Sequence, residues 1–334
     1  MRRGTGLVAT ALGAFLIVSA LLTRYYVAEQ VIRFPLNEYR IATLLARNVS
    51  YFNSAELQEL SGATLTDTST TEGDVAAGSS STAVWNNFSA IYDQTNNLPV
   101  SSSLQRLAFG RRSAELVNCC GANVSGRKPH LAGLGYVWPF GAQQTTYQIF
   151  DTTLMKRHPI AYAGTATVDG LATYKYVETV TPAQIGTQEL PGSLVGILDQ
   201  ATVKLAEYYT GTSTDYVDPI TGAPVSVTFS RHLYLTDRSG KQVLNLLHAT
   251  FVTTPASVAA AVQTARSDDA RISVVRVLLP ATLGLAGIIL LLIGVLMART
   301  RPESDYQDAA SAGYRGGAPD YQGGGGVPGG QVPV

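Results

Sequence analysis

The sequence has few charged residues. Its 24 Lys and Arg and 24 Asp and Glu make up 14% of the 334 residues, whereas an average globular protein carries about 25%. Between Arg24 and Arg276 there are 19 basic and 20 acidic residues. A segment so close to neutrality has no long-range field with which to attract nucleic acid. Nucleic-acid binding is therefore not expected.

Cysteine is nearly absent, and the two that occur, Cys119 and Cys120, are adjacent. Their Cα atoms are separated by about 3.8 Å across a trans peptide, less than the usual span of about 4.4–6.8 Å for a disulfide. This excludes a disulfide scaffold. The first expectation is two reduced thiols in or near a core strand, because free cysteine is commonly buried. An oxidised vicinal pair and a bridge to a second chain stay open.

Recognisable catalytic patterns are also lacking. The sequence has no Gly-x-Ser-x-Gly elbow, no His-Glu-x-x-His motif and no Walker loop. The four histidines are far apart and lack metal-ligand spacing, and the acidic residues are dispersed; the histidines are His130, His158, His232 and His248. The sequence therefore predicts no catalytic residues, no metal site, no cofactor and no enzyme.

Two long apolar runs stand out against this background. Val277–Ala298 has 22 residues without a charge, bounded by Arg276 and Arg299. As a helix it reaches about 33 Å, enough to cross a hydrocarbon core of about 30 Å. A second uncharged run extends from Gly4 to Thr23. Both runs predict transmembrane helices.

The first run has a second interpretation as a signal peptide cleaved after Ala20. Its length of about 20 residues exceeds the 7–15 residues of a signal core, which favours an uncleaved anchor. Small residues spaced by four allow two membrane helices to approach closely. The residues predicted to form the contact between the two helices are Gly6, Ala9, Thr10, Gly13, Ala14, Thr282, Gly284, Ala286 and Gly287.

Positive charge near the span ends predicts the orientation. Arg2 and Arg3 favour cytoplasmic termini, which places the large middle domain outside the plasma membrane. The predicted organisation is a cytoplasmic N-terminus (1–3), a transmembrane helix (4–26), a β-rich extracytoplasmic domain (27–253), a juxtamembrane helix (254–276), a second transmembrane helix (277–298) and a disordered cytoplasmic tail (299–334).

The middle of the chain has the composition of β-structure. Runs rich in Val, Thr and aromatic residues alternate with Gly, Pro, Asn and Asp. Asp218–Gly222 and Arg238–Gly240 predict hairpin turns, whereas the Ser/Thr/Gly-rich stretch Ser61–Ser81 predicts an exposed loop or a weak hairpin. Thr254 and Pro255 predict a helix start. The predicted fold class is α+β, an antiparallel β-rich domain bracketed by two transmembrane helices, with a kink at Pro280.

Aromatic residues in a charge-poor domain suit a concave apolar pocket for a lipid or a lipid-linked sugar. The alternative for each of them is ordinary core packing. The residues predicted to bind such a ligand are Trp85, Phe88, Trp138, Phe140, Tyr147 and Phe150.

Four segments carry a family resemblance: Tyr147–Leu154, Ala161–Tyr176, Glu207–Thr214 and Val217–Val225. With the terminal spans, they resemble the actinobacterial membrane proteins of the porin PorA family, formerly a domain of unknown function. The likeness covers nearly the whole chain except the tail. In Ala108–Arg112 this chain has glycine where the family usually has Asp. The layout is also similar to that of class B scavenger receptors, which carry lipids.

The family name implies a channel, whereas some relatives in mycolate-bearing actinobacteria are associated with envelope glycolipids. Our main prediction is a cell-envelope protein whose domain binds an amphiphile, a lipid or glycolipid precursor, or a membrane transport or assembly protein. The alternatives are an accessory glycosyl- or acyl-transfer enzyme and, ranked last, an oligomeric channel. A channel is disfavoured for two reasons. Neither span has a polar stripe, and the sequence does not show the series of about 10-residue alternating strands that an outer-membrane barrel needs. The lipid bilayer is the expected partner in every case.

Overall fold

The structure, a computed structural model, describes residues 2–299. Met1 and, beyond Arg299, the predicted cytoplasmic tail lie outside the described residues. The helical elements are α1 (Arg2–Leu22), a first π turn (Thr23–Val27), α2 (Ala28–Val31), a 3-10 turn (Gly192–Val195), α3 (Pro255–Ser273), a second π turn (Val274–Leu278) and α4 (Leu279–Arg299).

Twelve strands form the middle of the described chain. They are β1 (Tyr39–Asn53), β2 (Gln58–Gly73), β3 (Thr82–Asp93), β4 (Pro99–Gly110), β5 (Leu116–Val117), β6 (Asn123–Val124), β7 (Tyr147–Asp151), β8 (Lys156–Val168), β9 (Leu171–Pro191), β10 (Thr202–Val217), β11 (Pro224–Thr236) and β12 (Gln242–Thr253).

Eleven of these strands form one antiparallel half-barrel sheet in the order β5-β4-β3-β2-β1-β12-β11-β10-β9-β8-β7, and β6 pairs with β4. A single residue, Leu134, lies between the two edges of this sheet. Its N–H donates to the carbonyl of Gln148 and its carbonyl accepts from Phe150 N, each at 2.8 Å, and it also forms a bridge to Glu115. The predicted α+β class is confirmed: within the described residues, helices Gly4–Val31 and Pro255–Arg299 are long and apolar enough to span a membrane.

The stretch predicted as a loop is the clearest correction. Much of Ser61–Ser81 belongs to β2, which pairs with β1 on one side and β3 on the other. The apolar alternation that marks a half-buried strand is missing because the face of β2 that turns inward carries Asp67, Ser69 and Thr71. These polar groups are satisfied by neighbouring strands, so the strand needs no apolar pattern.

The two cysteines also differ from the first expectation. Cys119 and Cys120 form a vicinal disulfide in an exposed turn after β5. They therefore do not lie in a core strand, and the described structure corresponds to the oxidised alternative.

The turn and capping predictions are confirmed. Asp218–Gly222 connects β10 to β11, and Arg238–Gly240 lies between β11 and β12. Thr254 caps α3, because its side chain accepts a hydrogen bond from Ser257 N, and Pro255 is the first residue of the helix.

The structure has a π turn immediately before Pro280, the position of the expected kink. Because Pro280 has no N–H, it cannot bond the carbonyl of Arg276, four residues earlier. Arg24 Nη1 donates to that carbonyl at 3.1 Å. Irregular turns and side chains commonly satisfy the backbone groups that a proline leaves free.

The first half of α1 packs against the second half of α4 through glycines. A Cβ atom added to Gly13 would lie 2.6 Å from Leu291 N and 2.7 Å from the Gly287 carbonyl oxygen. One added to Gly294 would lie 2.5 Å from Thr10 N. The two backbones are therefore in direct contact at these positions.

The predicted contact residues are distributed unevenly around these helices. Gly6, Gly13 and Gly287 are buried, Ala9, Thr10 and Gly284 are half-buried, and Ala14, Thr282 and Ala286 are exposed. Gly294, which the sequence analysis did not select, is buried.

We expect Gly13→Leu to lower the free energy of unfolding by about 1–3 kcal/mol, because a side chain at this position overpacks the contact with α4. Thermal unfolding of the purified chain in detergent measures the change. Gly4→Leu is the matched control, since a Cβ at Gly4 meets nothing within 4 Å. Equal midpoints for the two variants would contradict this account of the packing.

Candidate functional site

Seven polar side chains from three adjacent strands share one face of the sheet. Directly opposite residues of paired strands lie on the same face, and the register pairs Ser69 with Ser89 and Ser89 with Ser103. The next row pairs Thr71, Asn87 and Gln105 in the same way. We call this set the polar ladder; its members are Asp67, Ser69 and Thr71 on β2, Asn87 and Ser89 on β3, and Ser103 and Gln105 on β4.

Hydrogen bonds between side chains hold the centre of the polar ladder. The Asn87 amide donates to Ser69 Oγ at 2.7 Å and to Thr71 Oγ1 at 2.9 Å. Ser89 Oγ donates to Asp67 Oδ1 at 2.6 Å. Asp67 is 7% exposed and Asn87 8% exposed, so these bonds supply the partners that buried polar groups require.

Apolar clusters bound the polar ladder at both ends. Along the same face of β3, Trp85 belongs to one core cluster and Ile91 to another, and Asn87 and Ser89 lie between them. The polar section is therefore a defined zone of an otherwise apolar face.

The polar ladder forms part of the wall of a cavity of about 1190 Å³. Residues of α3, such as Ser257, Ala261 and Thr264, also line the cavity. Five arginines and three acids line the cavity, a net charge of +2 by 5 − 3; they are Arg33, Arg40, Arg127, Arg231 and Arg271, with Glu38, Asp67 and Asp268.

Burial shifts the pKa values of two ionisable groups at the cavity wall. It raises the pKa of Asp67, and the hydrogen bond from Ser89 and the positive charge of Arg231 oppose that rise. Burial also lowers the pKa of Arg40, against the influence of Glu38. The carboxyl group of Asp67 therefore holds its proton to a higher pH than an exposed aspartate does.

A cluster of acids, Asp151, Glu178 and Asp215, lies on β7, β9 and β10. Glu178 is 6% exposed, and its Oε1 is 3.0 Å from His158 Nδ1. Burial raises the pKa of Glu178 to about 8, with further contributions from the charges of Asp151 and Asp215 and opposition from Arg231. Burial likewise raises the pKa of Asp215 to about 6, against a hydrogen bond from Ser213. Burial thus favours the protonated form of Glu178.

This cluster predicts a pH dependence of stability. The folded state of Glu178 binds its proton up to a pKa of about 8, whereas the unfolded state releases it near 4.3. The free energy of unfolding therefore falls as the pH rises through this window, by at most about 1.4 kcal/mol per pH unit. We expect Glu178→Gln to remove this contribution, because glutamine stays neutral.

Thermal unfolding in detergent between about pH 6.5 and 8, above the raised pKa of Asp215, measures the effect of Glu178. Glu115→Gln, at an exposed carboxyl group, is the control and should keep the wild-type slope. A Glu178→Gln variant with that same slope would refute the assignment.

The aromatic residues predicted to bind a ligand do not gather in one open pocket. Trp85, Trp138 and Phe150 are at most 5% exposed and belong to one apolar cluster. Phe140 and Tyr147 are half-buried against the same cluster, and Phe88 is 48% exposed on the opposite face of β3. Among the six, Trp85 and Phe140 reach the cavity wall.

The sequence analysis missed the polar ladder because serine and threonine are common in loops. One signal was present: Asp67, Ser69 and Thr71, like Asn87 and Ser89, are spaced by two, the period of a strand. The histidines remain scattered, except that the rings of His232 and His248 have centroids 4.9 Å apart and are tilted by 32°. Within residues 2–299, no three His, Cys, Asp or Glu side chains are arranged to hold a metal.

Comparisons with known proteins agree with one another. The family profile described as "Porin PorA" matches residues 5–296. A Corynebacterium amycolatum protein named Porin PorA is 28% identical over 121 residues, covering 29% of this chain and 31% of that protein. A Corynebacterium resistens protein of the same name is 38% identical over 53 residues, covering 16% and 13%. The matches thus span about a third or less of the curated relatives.

These names contradict our main functional prediction. The family and both relatives are called porins, which favours the channel alternative over a domain that binds an amphiphile or a transport partner.

Proposed function

The chain belongs to the porin PorA family, and we propose that it is a channel-forming membrane protein in which the cavity beside the polar ladder lines the extracytoplasmic section of the path of small hydrophilic solutes. The observation that carries this proposal is the continuous polar face across β2, β3 and β4. Hydroxyl, amide and carboxyl groups that are already paired can exchange hydrogen bonds with water and solutes without leaving buried groups unsatisfied.

The charge of the cavity supports a preference for anions. The five arginines outnumber the three acids, and burial raises the pKa of one of these acids, Asp67. Charged walls of one sign, next to low-dielectric protein, raise the local concentration of the opposite ion. We infer that small anions pass more readily than small cations.

The two apolar helices would anchor the protein in the membrane. Both are long enough to cross a bilayer, and Arg2 and Arg3 precede the first apolar run. We infer that the termini are cytoplasmic and that the β-rich domain is extracytoplasmic, by the positive-inside rule.

Narrowing the cavity tests the solute path. Ser103 faces the cavity, whereas Ser102 is exposed on the opposite face of β4. We expect Ser103→Phe to reduce single-channel conductance in planar bilayers to less than about half of the wild-type value, because a ring blocks part of the polar wall. Ser102→Phe adds the same volume on the other face and should conduct normally. Unchanged conductance in Ser103→Phe would place the path elsewhere.

Reversing one charge tests the ion preference. Arg127 is exposed and lines the cavity, and Arg127→Glu changes the net charge of the lining from +2 to 0. We expect the anion-to-cation permeability ratio, from the reversal potential in a salt gradient, to fall by roughly twofold or more. Arg238→Glu, in the distant β11–β12 turn, is the control. The same ratio in Arg127→Glu and wild type would refute the preference.

A further inference from the structure

A second pocket, of about 600 Å³, adjoins the cavity and is rich in arginine. Its charged lining consists of Arg33, Arg112 and Arg276 with one acid, Glu29, a net charge of +2 by 3 − 1. We call it the arginine pocket. It shares part of its wall, including Arg33, with the large cavity.

Three separate elements bring these arginines together. Arg276 lies in the second π turn, immediately before the 22-residue apolar run. Arg33 follows α2, and Arg112 lies in the turn after β4. Arg24, at the first π turn, donates to the Arg276 carbonyl and so joins the two turns. The pocket therefore lies where both apolar runs end.

The positive charge of the arginine pocket is poorly compensated. Arg112 Nη2 meets Glu29 Oε2 at 2.8 Å, but both side chains are about half exposed, and such surface pairs contribute little. Arg33 donates to neutral acceptors, the Ser80 carbonyl at 2.8 Å and the Gln30 amide oxygen. The Arg276 side chain has no hydrogen bond or ion pair within the described residues.

A fourth arginine adds to the charge behind the pocket. Arg111 Nε donates to the Phe34 carbonyl at 2.7 Å, again a neutral acceptor. Burial lowers the pKa of Arg111, and the charge of Arg33 lowers it further. The two guanidinium groups therefore repel each other, and an anion between the arginines would relieve that repulsion.

We propose that the arginine pocket binds a phosphate-type oxyanion. Guanidinium forks match the geometry of phosphate oxygens and form paired, charge-assisted hydrogen bonds with them. Ser81 and Ser113 also line the pocket and offer hydroxyl groups. The Ser113 hydroxyl oxygen accepts from Glu115 N, which leaves its O–H free to donate. This assignment does not depend on channel activity.

Titration of the full chain in detergent with inorganic phosphate, followed by calorimetry, tests the proposal directly. We expect saturable binding that Arg276→Gln and Arg112→Gln each weaken by about fivefold or more, since each removes a charged donor. Glu29→Gln should tighten binding, because it removes the only competing carboxylate in the lining. Arg238→Gln, at a distant exposed arginine, should bind as wild type does.

The phosphate group could come from a free anion or from a lipid headgroup, and a second experiment distinguishes these two sources. In micelles of a detergent without phosphate groups, and in nanodiscs of phosphatidylcholine, whose phosphodiester is neutralised by its own ammonium group, a free-anion site keeps its affinity for inorganic phosphate. If phosphatidylglycerol nanodiscs suppress that affinity in wild type, the bilayer headgroups supply the phosphate. Either result supports the site. Absence of saturable binding in detergent and in phosphatidylcholine nanodiscs, or equal weakening by Arg238→Gln, would overturn it whether or not the chain conducts ions.

Discussion

The requirement that buried polar groups have partners determines how the inner face of the sheet is built. Asn87 is almost fully buried, and its amide satisfies two hydroxyl groups of β2 at once. The Ser89–Asp67 bond does the same one row further along. Without these bonds each group would cost about 1–3 kcal/mol when withdrawn from water. With them, three strands can carry polar side chains into the interior and still pair regularly.

The polar ladder also depends on the apolar clusters beside it. Trp85 packs edge-on against Phe109, with ring centroids 4.8 Å apart, at one end of the polar section. At the other end, Leu65 and Ile91 belong to a second cluster that includes Phe251. Because apolar burial supplies most of the favourable free energy of folding, the clusters stabilise the strands while the section between them remains polar. The apolar ends of these strands therefore stabilise the fold, and the polar section between them lines the proposed solute path.

The sequence was sufficient for features that have a local cause. Uncharged length predicted the two spans, Asp-Pro and Gly predicted the turn at Asp218–Gly222, and Thr254 with Pro255 predicted the start of α3. The strand β2 was not predicted, because its polar side chains are hydrogen-bonded by residues of β3 that are distant in sequence. The arginine pocket was not predicted for the same reason. Arg33, Arg112 and Arg276 belong to three separate parts of the chain, and their spacing in the sequence follows no recognisable pattern.

Charge segregation explains how a neutral chain can have a cavity lining with a net positive charge. The formal net charge is zero, but the lining of the cavity and that of the arginine pocket each sum to +2. Some of the acids that balance the formal charge lie on other strands of the sheet, among them Asp151 on β7 and Asp215 on β10. At physiological salt a charge is screened within about 8 Å. Such a protein therefore attracts no ions from a distance, and the ion preference proposed above has to arise where the arginines line the wall.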